Sequence, residues 1–398
     1  MIRRRRRTIR STKPVAVVTS TIPITIGKFH RELIRQVQAE GYSVCVVSSP
    51  GPELERLSDE MGVRVRSLPV TRDVSPLADL LALARWLWVC RAERPSLMIS
   101  ATPKASLLSL LAAKTFCTGR RLYYVGGLRL EGEQRGRRQL LNVIERLTSW
   151  ASTEVVANSQ SLAIRIAERR LAPPGKLRQT HPGSSHGVDS DHFSPRPRDL
   201  ELADRLGIDR SIPVIGFVGR LTHDKGIDCL ISAVALLRED DVSCQLLVVG
   251  AQIEPDSAIY LDKLESAGGH VIVVGEVDDV RPYFGLMDVH VLPSLREGFP
   301  NVVLEASAMG LPTVTTDATG AIDSVQEGKT GLIVRTQDQR GLAEAIKTLI
   351  RDPGMASRYG VAARNWVVAD FQTEAVVQTL LAFGKVSGAR ALQHSKEH

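Results

Sequence analysis

The chain is short of cysteine and has no long apolar run, and each shortage limits what it can be. Its 398 residues include five cysteines, Cys45, Cys90, Cys117, Cys229 and Cys244, far apart and with no C-x-x-C pair. An odd, scattered set excludes a disulfide framework and reads as reduced core thiols of a cytoplasmic protein. The longest apolar stretches, residues 77–90 and 105–113, are interrupted by charge or serine. They fall short of the roughly 20 residues a membrane-spanning helix needs. No signal peptide is expected either, because the basic start runs into Ser11-Thr12-Lys13-Pro14 and then a strand.

Hydrophobic content of 43% and charged content of 24% are those of a soluble globular protein, and the length favours two domains. The net charge of +7 hides a division. Residues 1–190 carry 31 Lys+Arg against 15 Asp+Glu, a balance of +16, while the remainder carries 20 against 29, or −9. A cationic front half suits an anionic partner: nucleic acid, an acidic bilayer surface or a phosphorylated substrate. The Arg-rich residues 1–13 read as a disordered basic tail.

Apolar runs at 15–19, 44–48, 97–100 and 155–158 alternate with longer helical patterns, and no hairpin turn joins one to the next. That is the order of a parallel sheet covered on both faces. The alternation resumes at 214–219, 245–250, 270–275 and 289–292, after the Pro-rich interval Ser194-Pro-Arg-Pro-Arg198. The expectation is an α/β chain of two Rossmann-like domains facing across a cleft: a tail to residue 13, a front domain over 14–190, a back domain over 191–370, and a helix with a tail over 371–398. Trp86 and Trp88 lie in the helical stretch 77–90; core packing is the expectation for them, weighed against contact with lipid head groups.

The densest chemistry lies between Leu292 and Val314. Glu297 and Glu305 stand eight positions apart, with a Gly298-Phe299-Pro300-Asn301 turn between them and an apolar strand in front. Strand, turn, helix is the arrangement of a ligand site in an open α/β sheet. Pro300 suits a first helical position, which predicts a helix from about Asn301 to Met309 ending at Gly310, its positive end turned toward a phosphate beside Glu297. A second loop, Phe217 to Gly226, follows the first strand of the back half and offers Gly219 for close approach with Arg220 and Lys225 as two cations suited to a diphosphate. That loop is neither G-x-x-x-x-G-K-[ST] nor G-x-G-x-x-G.

These blocks, with residues 275–283 and 328–334 in the same order and spacing, resemble the donor domain of retaining GT-B glycosyltransferases of family 4. In the front half, residues 73–77, 102–104, 127–131 and 183–189 resemble the branch that builds capsular and other cell-surface polysaccharides on polyprenyl-diphosphate carriers. The resemblance implies that Glu305 binds the ribose hydroxyls of a nucleotide sugar, expected to be UDP-linked, and that Glu297 faces the sugar. Backbone N–H groups of Gly298, Phe299, Pro300's neighbourhood and Asn301 would approach hydroxyls and phosphates. Arg220 and Lys225 would hold the diphosphate, Glu276 and Val277 the base, and Gly27 would bring the front domain's backbone to the diphosphate.

The acceptor so implied is a lipid-linked saccharide, the place the inner face of the cytoplasmic membrane with its anionic surface. No cofactor and no metal are implied: Asp189-Ser-Asp191 mimics a metal-binding D-x-D but falls in the interdomain crossover. His30 and His223 read as surface or packing residues. Gly126 departs from the pattern, since many relatives carry His there, and removes one donor contact. His186 stands where the family has Asn. The alternatives are a UDP-sugar 2-epimerase of the same layout, a non-catalytic membrane-associated subunit, and a nucleic-acid binder, which nothing beyond charge supports.

Overall fold

A computed structural model describes residues 13–69, 75–117, 119–250, 257–268 and 270–384, so most of the basic tail and part of the 73–77 motif lie outside the described residues. Two sheets form. The front sheet takes β1 (Val15–Thr19), β2 (Ser43–Ser48), β3 (Arg64–Ser67), β4 (Leu97–Ala101), β5 (Arg120–Val125), β6 (Glu154–Ala157) and β7 (Leu177–Gln179), in the order β3-β2-β1-β4-β5-β6-β7. The back sheet takes β8 (Val214–Val218), β9 (Gln245–Val249), β10 (Val271–Gly275), β11 (Val289–Leu292), β12 (Thr313–Thr316) and β13 (Gly331–Val334), in the order β10-β9-β8-β11-β12-β13. The neighbouring strands pair in parallel. This is the expected pair of Rossmann-like domains.

Helices cover both faces of each sheet. In the front domain α1 (Pro23–Phe29), α2 (Arg31–Ala39) and α3 (Pro52–Met61) bury Ile26, Ile34 and Leu57 on one side. On the other side α4 (Pro76–Glu93), α5 (Pro103–Phe116), α6 (Arg135–Ala151) and α7 (Gln160–Glu168) bury Trp86, Leu110, Ala151 and Ile166. In the back domain α8 (Leu200–Arg205), α9 (Ile227–Glu239), α10 (Ser257–Ser266), α11 (Arg281–Phe284), α12 (Asn301–Ala308) and α13 (Gln339–Arg351) do the same. The strand order reverses between β1 and β4 in front and between β8 and β11 behind, and outside such switch points the carboxyl ends of the strands leave a crevice.

The chain crosses between domains twice, at one place. On the outward pass the Val188 N–H donates to Phe371 O at 2.8 Å. The return runs from α14 (Pro353–Asp370) through Phe371 into α15 (Thr373–Ala382). Helix α15 packs on the front domain, where Val377, Leu380 and Leu381 join Ile34 and Leu97 in one core and Gln36 Nε2 donates to Glu374 O at 3.0 Å. Phe371, wholly buried, packs at a tilt against Phe299 with ring centroids 5.5 Å apart and so fastens the crossover to the back domain's site loop.

Candidate active site

The back domain's switch point brings the two loops singled out in the sequence together. Lys225 leaves the loop after β8 and Glu297 the loop after β11, and Lys225 Nζ lies 2.5 Å from Glu297 Oε1. Both side chains are 14% exposed, so the pair is shielded but open to the cleft. Ser294 Oγ donates to the same carboxylate oxygen at 2.7 Å. Gly226 makes this proximity possible. Its φ is +71° and a Cβ there would lie 2.0 Å from Pro293 O, so no side chain fits where the first loop presses on the second.

Glu305 projects from the second turn of α12. Among the described residues no hydrogen bond or ion pair satisfies its carboxylate, and burial alone pushes its pKa up to about 7. A shielded carboxylate without a partner costs folding free energy, and sites of that kind concentrate where a ligand supplies the missing donors.

The remaining expected residues divide. Gly219 and exposed Arg220 stand at the carboxyl end of β8, and exposed Glu276 and half-buried Val277 follow β10 two strands away. Phe299 and Pro300 are buried; the Phe299 ring packs with Val188, Leu304 and Phe371, leaving only its backbone near the cleft. The Asn301 side chain is engaged, accepting from Ser184 Oγ at 3.0 Å and donating to Gly187 O at 2.9 Å. Two expectations need correction. Pro300 is the N-cap of α12, with φ −79° and ψ 98°, and Asn301 begins the helix. Gly27 lies inside α1, which starts at Pro23 directly after the first turn, so its N–H is spent within the helix and cannot present itself to a diphosphate.

The two domains touch beside Glu297. A Cβ on Gly298 would lie 2.0 Å from Gly126 O, so glycine there lets backbone meet backbone across the cleft. Arg296 Nη1 reaches Leu128 O at 3.4 Å, and its other nitrogen pairs with Asp224. Thr319 Oγ1 donates to Glu131 Oε1 at 3.0 Å, and Ser161 Oγ, bonded to Asp323, accepts from the Gly320 N–H at 2.7 Å. Leu128 and Glu131 fall in the 127–131 block singled out in the sequence, but no interdomain contact was expected of them or of Ser161 and Asp323, because interdomain pairs have no local periodicity to reveal them. At Gly126 an added Cβ would meet nothing within 4 Å, so the residue opens space.

Of the histidines singled out in the sequence, His223 is a surface residue with its side chain 64% exposed, while His30 and His186 are packing groups. His223 Nδ1 faces Tyr260 Oη at 3.2 Å, turned toward α10. Burial lowers His30 to about 4 and His186 to about 3, so both are neutral, with the His186 ring stacked on Phe29 at 4.6 Å. In the D-x-D segment, Asp189 Oδ1 accepts from the N–H groups of Asp191 and His192 at 3.1 and 2.9 Å, which makes the motif a turn. Among the described residues no helix is long and apolar enough to cross a membrane.

Comparison with known proteins agrees with this layout. Residues 25–183 match the family described as "Glycosyl transferase 4-like domain", and residues 212–352 the one described as "Glycosyl transferases group 1". The chain is 32% identical over 372 residues to the capsular polysaccharide biosynthesis glycosyltransferase CapM of Staphylococcus aureus, covering 92% of this chain and 94% of the relative. It is 24% identical to the lipopolysaccharide core biosynthesis glycosyltransferase LpsE of Rhizobium meliloti, over 89% of this chain and 94% of that one. Among solved structures, Anabaena Alr3699/HepE in complex with UDP and glucose superposes with a TM-score of 0.76 at 20% identity, covering 92% of this chain and 98% of that one.

Proposed function

The chain belongs to the GT-B glycosyltransferases of family 4, and from that premise we propose that it moves a sugar, with retention, from a UDP-sugar to a polyprenyl-diphosphate-linked saccharide in cell-surface polysaccharide synthesis. An epimerase is set aside, since the family matches and curated relatives are transferases. The observation that carries the donor reading is the unpaired carboxylate of Glu305 on α12, the helix that follows the loop holding Glu297 against Lys225 at the switch point. Two ribose hydroxyls would satisfy Glu305. The acceptor hydroxyl oxygen bonds to the anomeric carbon on the face the diphosphate leaves as the carbon–oxygen bond to the diphosphate breaks, and the hydroxyl proton passes to the departing diphosphate oxygen. Negative charge then gathers on the departing diphosphate, where Arg220 and Lys225 stabilise it. Glu297, released from Lys225 by the incoming phosphates, faces the sugar as its ring takes on positive character. Backbone groups of Gly298 and Asn301 approach the donor, and Glu276 and Val277 the base.

No metal ion is required in this scheme, because two side-chain cations already face the diphosphate. Turnover unchanged by EDTA is the expected result; loss on chelation with rescue by Mn²⁺ or Mg²⁺ would show a metal to be essential. The likeness to CapM, a capsular polysaccharide biosynthesis glycosyltransferase, supports a carrier-linked acceptor at the inner face of the cytoplasmic membrane. The decisive assay follows release of UDP from a panel of UDP-sugars with a polyprenyl-diphosphate saccharide as acceptor. Transfer from at least one donor, with the anomeric configuration kept in the product, is expected. Transfer only from a non-uridine donor, or inversion at the anomeric carbon, would overturn the reading.

A further inference from the structure

Helix α4 is apolar on both sides. Its inner side buries Ala82, Trp86, Val89 and Cys90, with Trp86 only 1% exposed. Its outer side turns Leu77, Leu80, Leu81 and Trp88 to solvent at 79, 65, 63 and 59% exposure. Positions 77, 81 and 88 follow the helical repeat, so they form one stripe along the axis. Helix α6 repeats the feature with Leu140, Val143, Leu147 and Trp150, all exposed and also at helical spacing. Both helices pack against α5 on the same face of the front sheet, so the two stripes belong to one surface. A soluble monomer rarely leaves two such apolar stripes, on helices flanking one another across α5, uncovered.

Charge identifies what would cover it. Exposed Arg85 and Arg91 flank the stripe on α4, and Arg135, Arg137, Arg138 and Arg146 flank that on α6. The Arg66 guanidinium lies 4.9 Å from the Trp88 ring centre, and Lys114 Nζ 3.6 Å from that of Trp150. The acids of both helices are used up or turned inward. Asp79 pairs with Lys104 at 2.6 Å, Glu93 is held by Arg64 and Arg66, and Glu145 is buried against the Tyr123 hydroxyl at 2.6 Å. Arg137 pairs with Glu133 at 3.4 Å, but arginines outnumber acids on this surface, and apolar side chains, aromatic rings and excess positive charge together match the boundary of an anionic bilayer, where chains enter the acyl region and cations meet phosphate. A second copy of the chain would bring its own arginines against these, which disfavours self-association.

We propose that α4 and α6 form the face by which the front domain lies on an anionic lipid bilayer. The inference rests on the reading of a lipid-linked acceptor and names the surface that brings the enzyme to it. The orientation is productive, because α6 begins three residues after Gly132, the end of the segment whose Leu128 and Glu131 touch the back domain. The stripes therefore start at the rim of the cleft, and a carrier diphosphate held at the bilayer surface needs to travel little to enter.

The test compares the full chain with Leu77→Gln/Leu81→Gln/Trp88→Gln and with a variant lacking residues 2–7, by co-sedimentation with phosphatidylcholine vesicles with and without phosphatidylglycerol. Wild type should bind the anionic vesicles, more weakly as salt rises, and the triple variant at least tenfold less tightly, with its affinity for UDP unchanged as proof of folding. Wild-type binding by the triple variant, or its loss only on removal of residues 2–7, would overturn the face. So would a wild type that binds no vesicle, or that is a dimer by light scattering which the triple variant dissociates. Transfer to a water-soluble, short-chain diphosphate saccharide separates the two readings. If it persists while vesicle binding fails, the face falls and the transferase reading stands; if vesicle binding behaves as expected but no carrier-linked acceptor is used, the acceptor reading falls and the face stands.

Discussion

Donor affinity should rise with pH across neutrality, and Glu305 should be the reason. Burial lifts its carboxyl to about 7 and no side chain counters the shift. Two ribose hydroxyls can both donate to the two carboxylate oxygens only when Glu305 is ionised, so binding in that mode draws a proton off Glu305 wherever the free protein holds one. With a pKa of about 7 the group is roughly one-tenth ionised at pH 6 and nine-tenths at pH 8. Affinity should accordingly increase about tenfold between these values, or about 1.4 kcal/mol, and then level off. Calorimetry with a nucleotide sugar measures this without interference, whereas the terminal phosphate of free UDP titrates near pH 6. Glu305→Gln should bind weakly and without the pH trend. Stability carries the opposite sign: the raised carboxyl stabilises the folded state fully below its unfolded pKa and loses that contribution as pH climbs through 7. At pH 8 Glu305→Gln should therefore be more stable than wild type, by up to about 3 kcal/mol, and near wild type at pH 4. A flat affinity profile in wild type, or a slope that survives in Glu305→Gln, would refute the assignment of Glu305 to the ribose.

Glu297→Gln keeps the shape beside Lys225 but removes the charge; turnover should fall by a factor corresponding to about 2 kcal/mol while nucleotide affinity holds, as single-turnover and binding measurements would show. Lys225→Ala and Arg220→Ala should each lower kcat/KM, and Arg220→Lys should restore it only in part if two hydrogen bonds are made; steady-state kinetics decides. Gly298→Ala places a Cβ 2.0 Å from Gly126 O, backbone that cannot swing aside, so transfer should drop while the melting temperature shows a cost of about 1–3 kcal/mol. Phe371→Ala empties a fully buried site between Phe299 and Trp366 and should cost about 3–5 kcal/mol in denaturant unfolding.

What the sequence revealed about this molecule follows from how locally each feature is encoded. Strands buried on both faces read as continuous apolar runs, and β1 and β11 lie at the expected residues. Strand β5 was missed because it opens on Arg120-Arg121, whose charges are answered from elsewhere: Glu154 pairs with Arg120, and the Ala151 carbonyl accepts from Arg121. Strand β12 is Thr313-Val314-Thr315-Thr316, polar in composition yet wholly buried, since Thr315 and Thr316 hydroxyls donate to Leu292 O and Ser294 O. That Lys225 and Glu297 serve one site was legible because each lies in the loop after a strand of the same sheet, and the structure shows those strands, β8 and β11, to be neighbours at the switch point. Trp86 and Trp88, two positions apart, met opposite fates, one in the core and one outside, since a helix turns about 200° over that distance. Gly27 was misplaced because Pro23 starts the helix earlier than the turn pattern implied.

The docking of α15 has a consequence for how the protein is made. A ribosome releases residues 14–190 long before residues 373–384, yet Val377, Leu380 and Leu381 of that last helix, with Phe383 after it, pack into the core that holds Ile34 and Leu97. Translation therefore delivers a front domain with an open seam, which stays open while the whole back domain emerges. A fragment ending at residue 190 would keep that seam for good and should prove sticky in isolation, and the same fragment should be soothed by a synthetic peptide spanning 371–384. The first domain to begin is the last to be finished.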